Sequence, residues 1–110
     1  MGISTHILDT TRGRPAKGVT VRLERVGMST EAEVARGVTD DDGRVKPLLA
    51  VLPGAGPYRL HFEVGPYFAG LGVESFYPSV TIDFMVKAPS EHYHVPLLLN
   101  PFGYSTYRGS

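Results

Sequence analysis

Residues 58–64, Tyr-Arg-Leu-His-Phe-Glu-Val, place an apolar side chain at every second position and a polar one between. Residues 19–24 and 80–86 follow the same period of two. Because side chains alternate between the two faces of a β-strand, each run predicts a strand with one face in a core and the other outside. Four shorter stretches are weaker strand candidates: residues 3–8, 33–39, 93–99 and 104–107.

Turn-forming residues separate these runs. Gly, Pro and Asp cluster at residues 12–15, 41–43 and 52–57, where they supply the backbone angles that chain reversals need. About seven short strands with such regular punctuation indicate an all-β fold, an antiparallel β-sandwich. One short helix is expected at residues 66–71, with its proline in the first turn. A length of 110 residues favours a single domain covering 1–110.

Two segments depart from this regular pattern. Pro96 lies inside the strand candidate 93–99, where it cannot donate to a ladder, so it predicts an edge strand or a bulge. The tail, residues 102–110, is rich in Tyr, Ser, Thr and Gly. Chain ends normally fray, but a tail with this aromatic content is expected to be docked.

Composition and charge narrow the possible functions. Eleven Lys and Arg residues balance eleven Asp and Glu residues, so no basic surface for nucleic acid is expected. The apolar stretches are far shorter than the ~20 residues of a membrane helix, and the first residues lack a secretory signal pattern. The chain has no cysteine, which excludes disulfides and thiolate metal sites. We therefore expect a cytoplasmic protein that binds neither nucleic acid nor membrane.

The four histidines are not equivalent. His61 lies on the polar side of its strand, where a solvated surface role explains it. His94 lies opposite the apolar face of residues 93–99, and His6 lies on a mixed polar and apolar face of the first strand. Such faces are expected to be covered, for example by another subunit. The residues leave three interpretations open: a catalytic pair, a zinc site that combines His92, His94 and His6, or structural histidines.

Other motifs carry less information. Residues 40–43, Asp-Asp-Asp-Gly, lack the spaced oxygen ligands and closing Glu of an EF-hand loop. A tight turn that exposes Arg44 is therefore favoured over a calcium site. The sequence has no P-loop, dinucleotide fingerprint or Gly-x-Ser-x-Gly elbow.

Three blocks of sequence resemble one known family. The first is residues 4–9, Ser-Thr-His-Ile-Leu-Asp, followed by Gly-Arg-Pro-Ala at 13–16. The second is Thr-Asp-Asp-Asp-Gly-Arg at 39–44, and the third runs from Tyr93 to the terminal Tyr-Arg-Gly-Ser at 107–110. On these motifs the chain resembles the 5-hydroxyisourate hydrolases, also called transthyretin-related proteins, over essentially its whole length.

The resemblance implies a fold, a reaction and an assembly. The family's fold is the transthyretin-like β-sandwich of two four-stranded sheets with one short helix. Its members hydrolyse 5-hydroxyisourate to 2-oxo-4-hydroxy-4-carboxy-5-ureidoimidazoline in urate degradation, a part of purine metabolism, with no cofactor and no metal. The family forms homotetramers with active sites at the dimer–dimer interface, which would cover the faces that carry His6 and His94.

The same resemblance implies roles for individual residues. The family's catalytic residues are matched by four positions: His6, Arg44, His94 and Ser110. Its substrate-binding residues are matched by His6, Arg44 and Tyr107. An imidazole can activate water near neutral pH, and a guanidinium can bind an oxygen-rich substrate and offset charge on the reacting carbonyl.

Two alternatives stand beside the hydrolase. One is a transthyretin-like carrier that binds a small ligand without catalysis, and the other is a zinc hydrolase with histidine ligands. A carrier needs no general base, so the combination of His6, His94 and Arg44 favours an enzyme. The chain departs from the family at Asn100, where Ser is usual, and at residues 45–47, which replace a Cys-containing turn.

Overall fold

The structure is a computed structural model that describes residues 2–27 and 32–109. Within these ranges the chain forms nine strands and one helix. In chain order they are β1 (Gly2–Asp9), β2 (Arg14–Pro15), β3 (Thr20–Arg25), β4 (Ala32–Val38), β5 (Arg44–Leu49), β6 (Gly56–Phe62), α1 (Val64–Gly70), β7 (Val80–Val86), β8 (His92–Asn100) and β9 (Gly103–Thr106). Every strand candidate from the sequence coincides with one of these strands.

The strands form two sheets. In the first sheet, β1 pairs with β8 on one side and with β2 and β5 on the other, and β9 lies beyond β8. The second sheet has the order β4-β3-β6-β7 and is antiparallel throughout. The predicted β-sandwich is confirmed, with two differences. Strands β1 and β8 run parallel, and the first sheet has five strands because β2 and β5 pair with successive parts of one edge of β1.

The core lies between the inner faces of the two sheets. The second sheet contributes the apolar positions of the alternating runs: Val21, Leu23, Tyr58, Leu60, Phe62, Val80, Ile82 and Val86. The first sheet contributes Ile3, Ile7, Tyr93, Val95, Leu97 and Leu99. The predicted inward faces are therefore confirmed, and burial of each large apolar side chain contributes roughly 1.5–3 kcal/mol.

Helix α1 starts two residues before the predicted helix at 66–71 and ends one residue earlier. Val64 and Phe68 are buried and lie four residues apart, so they share one face of the helix. Packing of Val64 into the core accounts for the earlier start of the helix. Pro66 lies in the first turn, as expected. Among the described residues no helix is long and apolar enough to cross a membrane.

Three prolines lie within strands of the first sheet, and two of them bear on the predictions from the sequence. Pro47 and Lys46 are exposed and interrupt the apolar pattern of β5, so the sequence does not predict this edge strand. The prediction that Pro96 marks an edge strand or a bulge is wrong, because β8 has β1 and β9 as neighbours. Pairing with β9 begins only at Leu97, and the Pro96 carbonyl accepts a hydrogen bond from the Thr106 hydroxyl at 2.7 Å. The proline is tolerated because it lies just beyond the regular β8–β9 ladder.

Candidate active site

Three side chains that the sequence predicts to be catalytic, those of His6, Arg44 and His94, come together on the outer face of the first sheet. The register places His6 of β1 opposite Arg44 of β5 on one side and opposite Pro96 of β8 on the other. Ser4, two residues earlier on the same face, lies opposite His94. Because neighbouring strands are only ~4.8 Å apart and alternate residues share a face, this register makes the two imidazoles and the guanidinium neighbours.

A tight turn at residues 40–43 delivers Arg44 to this face. The Gly43 N–H donates to the Asp40 carbonyl at 2.9 Å, and Gly43 has a φ of 73°, a conformation that favours glycine. Asp40 Oδ1 accepts a hydrogen bond from the Arg44 N–H at 3.0 Å, which lowers the pKa of the Asp40 carboxyl. The expected tight turn is confirmed, and the Asp40 carboxylate stabilises its backbone.

The imidazole of His94 is held by both β1 and the tail. Ser4 Oγ lies 2.8 Å from His94 Nδ1. The Gly109 N–H donates to the His94 carbonyl at 2.8 Å, and a Cβ on Gly109 would lie 2.5 Å from His94 Cδ2. The predicted docking of the tail is therefore confirmed for the residues up to 109.

The electrostatic environment lowers the pKa of both imidazoles. For His6, burial lowers the pKa from 6.5 and the charge of Arg44 lowers it further, while a hydrogen bond with the Asp42 backbone opposes the shift. For His94, burial is again the largest cause, followed by Arg44, His6 and His92, and a hydrogen bond with the Ser4 backbone opposes it. Both rings are therefore held in the neutral form, which can accept a proton, near neutral pH.

This arrangement suits acid–base chemistry on an oxygen-rich molecule. Neutral imidazoles can accept a proton from water, and the adjacent Arg44 guanidinium offers several N–H donors to a carbonyl or carboxylate oxygen. His6, His94 and Arg44 are all half-buried, so they are partly shielded from water yet reachable by a ligand. The face thus combines a candidate base with a candidate oxyanion partner.

Tyr107 does not join this cluster. It is 58% exposed and lines a cavity of about 560 Å³ beside β7. The walls of the cavity include Tyr93 and Val95, which lie on the inner face of β8, opposite to His94. The substrate contact of Tyr107 therefore stays a prediction, as does the catalytic role of Ser110, which lies outside the described residues.

The remaining histidines have other partners. His61 lies on the outer face of the second sheet, with Nε2 3.0 Å from Glu63 and Nδ1 3.3 Å from the Thr81 hydroxyl. It is half-buried within a polar surface cluster, and not simply solvated as expected. Within 2–27 and 32–109, no group of three or more His, Asp or Glu side chains is arranged to hold a metal ion. These described residues therefore contain no set of ligands for the alternative zinc site.

Sequence reasoning missed Ser4 as a member of the site. Ser4 Oγ lies between two rings, 2.9 Å from His92 Nε2 and 2.8 Å from His94 Nδ1. Alternation places Ser4 on the face of His6, and the His92-x-His94 spacing places both rings on one face of β8. The sequence does not show that β1 pairs with β8 in parallel. This pairing brings the two faces side by side.

Comparisons with known proteins agree with this fold and site. The model of the HIUase/Transthyretin family matches residues 3–109. A 5-hydroxyisourate hydrolase of Halalkalibacterium halodurans is 48% identical over 115 residues, which cover 98% of this chain and 97% of the relative. The structure of Klebsiella pneumoniae 5-hydroxyisourate hydrolase matches with a TM-score of 0.88 and 44% identity, covering 100% of both chains.

A second structural match is to a binding protein. Sea bream transthyretin in complex with thyroxine has a TM-score of 0.87 and 29% identity, covering 99% of this chain and 95% of that one. Together these matches define the fold class as a transthyretin-like β-sandwich. The chain belongs to the HIUase/Transthyretin family.

Proposed function

We propose that this chain hydrolyses 5-hydroxyisourate and that His6, Arg44 and His94 are its catalytic residues. The observation that carries the proposal is the convergence of two imidazoles of lowered pKa and one guanidinium on a single sheet face. Full-length relatives that are 44% and 48% identical are named 5-hydroxyisourate hydrolases. The chain is a hydrolase of purine degradation, and the product of the reaction is 2-oxo-4-hydroxy-4-carboxy-5-ureidoimidazoline.

The reaction adds water across a cyclic amide bond of the substrate. A neutral imidazole, that of His6 or His94, accepts a proton from the attacking water as its oxygen bonds to the carbonyl carbon. The Arg44 guanidinium donates hydrogen bonds to the oxyanion that develops on the carbonyl oxygen. When the C–N bond breaks, the imidazolium returns the proton to the departing nitrogen. These steps require no cofactor and no metal ion.

The C-terminal tail belongs to the same proposal. Ser110 assists the histidines in orienting the water. Tyr107 contacts the substrate in this proposal, although within a single chain it lines the cavity beside β7 and not the face of His6 and Arg44. The support is the docking of Gly109 against His94, which brings the tail up to residue 109 onto the catalytic face. Deleting residues 108–110 should abolish turnover while the urea midpoint changes little. Turnover at the native rate would remove the tail from the mechanism.

An assembly and a location complete the proposal. We place the catalytic faces of a homotetramer at its dimer–dimer interface, because Leu8 and Leu98 lie beside the histidines on the outer face of the sheet. The single domain 1–110 would then act in the cytoplasm, where a chain without cysteine needs no oxidising compartment. Native mass spectrometry should give a mass four times the 12.0 kDa of the chain, and a monomer with full activity would contradict this assembly.

The decisive experiment is the ultraviolet decay of 5-hydroxyisourate, generated in place from urate by uricase. A control without this protein is needed because the substrate also decays spontaneously. The native chain should accelerate the decay, and His94→Asn should lower the rate by about 10²–10⁴-fold, the range of general base catalysis. His61→Gln is the matched control, since it removes an imidazole from the other sheet.

Two other results would favour the alternatives. Decay at the spontaneous rate, together with saturable binding of a small aromatic ligand, would indicate a carrier. Activity that is lost on exhaustive chelation and restored by zinc would indicate a metal-dependent hydrolase. Activity that survives chelation supports the imidazole mechanism.

A further inference from the structure

We propose that Ser4 and His92 act as positioning residues that hold His94 in the tautomer required of a general base. This inference rests on the proposed function and adds two residues to it. The geometry consists of one hydroxyl between two rings: His92 Nε2 lies 2.9 Å from Ser4 Oγ, which in turn lies 2.8 Å from His94 Nδ1. All three side chains share the outer face of the β1–β8 pair.

The surroundings define which atoms of His94 remain free. Nδ1 of His94 lies next to Ser4 Oγ. Cδ2 lies against Gly109, where an added Cβ would come within 2.5 Å of it. An imidazole has only two ring nitrogens, so Nε2 is the atom left for water or substrate. Ser4 is 5% exposed and has a ring nitrogen on either side. It is therefore placed to orient a base and not to attack a substrate.

Counting protons decides the direction of these two hydrogen bonds. A serine hydroxyl has one proton, so it donates to one ring and can accept from the other. If it donates to His92 Nε2, it accepts from the Nδ1–H of His94, and His94 Nε2 then carries the lone pair of a base. If it donates to His94 Nδ1 instead, Nε2 carries the proton and cannot act as the base.

The exposure of His92 favours the productive direction. His92 is exposed, so its own Nδ1–H can bond to water while Nε2 accepts the Ser4 proton. His92 thus gives the Ser4 hydroxyl an acceptor other than His94.

The test combines two pairs of variants with a spectroscopic readout. Ser4→Ala removes the hydroxyl and Ser4→Thr keeps it; His92→Ala removes the acceptor and His92→Gln keeps one in its side-chain carbonyl. We expect kcat to fall by roughly tenfold or more in Ser4→Ala and His92→Ala, with KM little changed and activity largely retained in the conservative variants. Long-range ¹H–¹⁵N NMR of the native protein should show His94 with protonated Nδ1 and free Nε2.

The outcomes separate the two proposals. If the native chain does not accelerate substrate decay, the proposed function fails, while the tautomer of His94 still tests the positioning. A native spectrum with the proton on His94 Nε2 overturns the inference even if the variants do not fold. Native kcat and an unchanged His94 tautomer in folded Ser4→Ala overturn it as well.

Discussion

Gly109 lies against His94 with no room for a side chain between them. Its N–H donates to the His94 carbonyl at 2.8 Å, and a Cβ at this position would lie 2.5 Å from His94 Cδ2 and 3.3 Å from Pro96 Cγ. A contact of 2.5 Å cannot be accommodated without movement of the ring or of the tail. The backbone of the tail therefore helps to set the position of the imidazole.

We expect Gly109→Ala to lower kcat/KM by at least about tenfold, because a shift of the imidazole by a fraction of an ångström disturbs the alignment that catalysis requires. Substrate decay at saturating and limiting concentrations measures the effect. Gly103→Ala is the matched control in the same segment, since its Cβ would meet only Asn100 at 3.6 Å, an ordinary contact. Equal rates for both variants would contradict a positional role for Gly109.

Arg44→Lys should lower kcat/KM by about 10²-fold although the positive charge is kept. The reason is that a lysine ammonium cannot reproduce the planar, paired donors of a guanidinium, and loss of an oxyanion donor has effects of this size. Steady-state kinetics measure the change. Arg14→Lys, an exposed position on β2 of the same sheet, should be neutral, and full activity in Arg44→Lys would remove Arg44 from the mechanism.

The pH dependence follows from the lowered pKa of both catalytic imidazoles. A base works in its neutral form, so activity should persist below pH 6.5 and be lost only as the pH falls through the lowered pKa. Arg44→Gln removes one cause of the shift, so the pKa of His6 and of His94 should rise. NMR titration of the imidazole Cε1 protons follows both rings independently of turnover. A pKa above 6.5 in the native protein, or no rise in the variant, would count against this electrostatic account.

Tyr67→Phe should destabilise the fold without acting on the catalytic face. The Tyr67 hydroxyl donates to Oδ2 of the fully buried Asp9 at 2.7 Å, and burial followed by this bond raises the pKa of Tyr67 to about 12. Removing the donor should lower the free energy of unfolding by about 1–3 kcal/mol, measured from the urea midpoint. Tyr104 is exposed, so Tyr104→Phe is the control and should change the free energy of unfolding little. Equal stability of both variants would show that the hydrogen bond to Asp9 does not stabilise the fold.

Much of the fold could be predicted because the pattern that encodes it is local. The alternation in 58–64 and 80–86 shows which side chains turn inward, since the period of two belongs to any strand. Pro66 and the glycines after it predict the helix to within two residues. Strand β5 was not predicted, because Lys46 and Pro47 interrupt its pattern and only pairing with β1 makes it a strand.

The residues of the candidate site also fall into those that the sequence identifies and one that only the structure identifies. His6, Arg44 and His94 were identified through motifs that belong to a family, and alternation already placed both histidines on outer faces. The sequence does not single out Ser4, because an isolated serine has no distinguishing context. Its role depends on lying opposite His94, a residue 90 positions away.

The sequence by itself determined the strands, the inward faces, the turn before Arg44 and the residues able to act as base or oxyanion partner. These follow from backbone sterics and side-chain chemistry, which act over a few residues. Only the tertiary structure decided that β1 lies parallel to β8, that Ser4 lies between His92 and His94, and that Gly109 packs on His94. Such long-range contacts depend on which strands pair, and pairing is decided by the packing of the whole core.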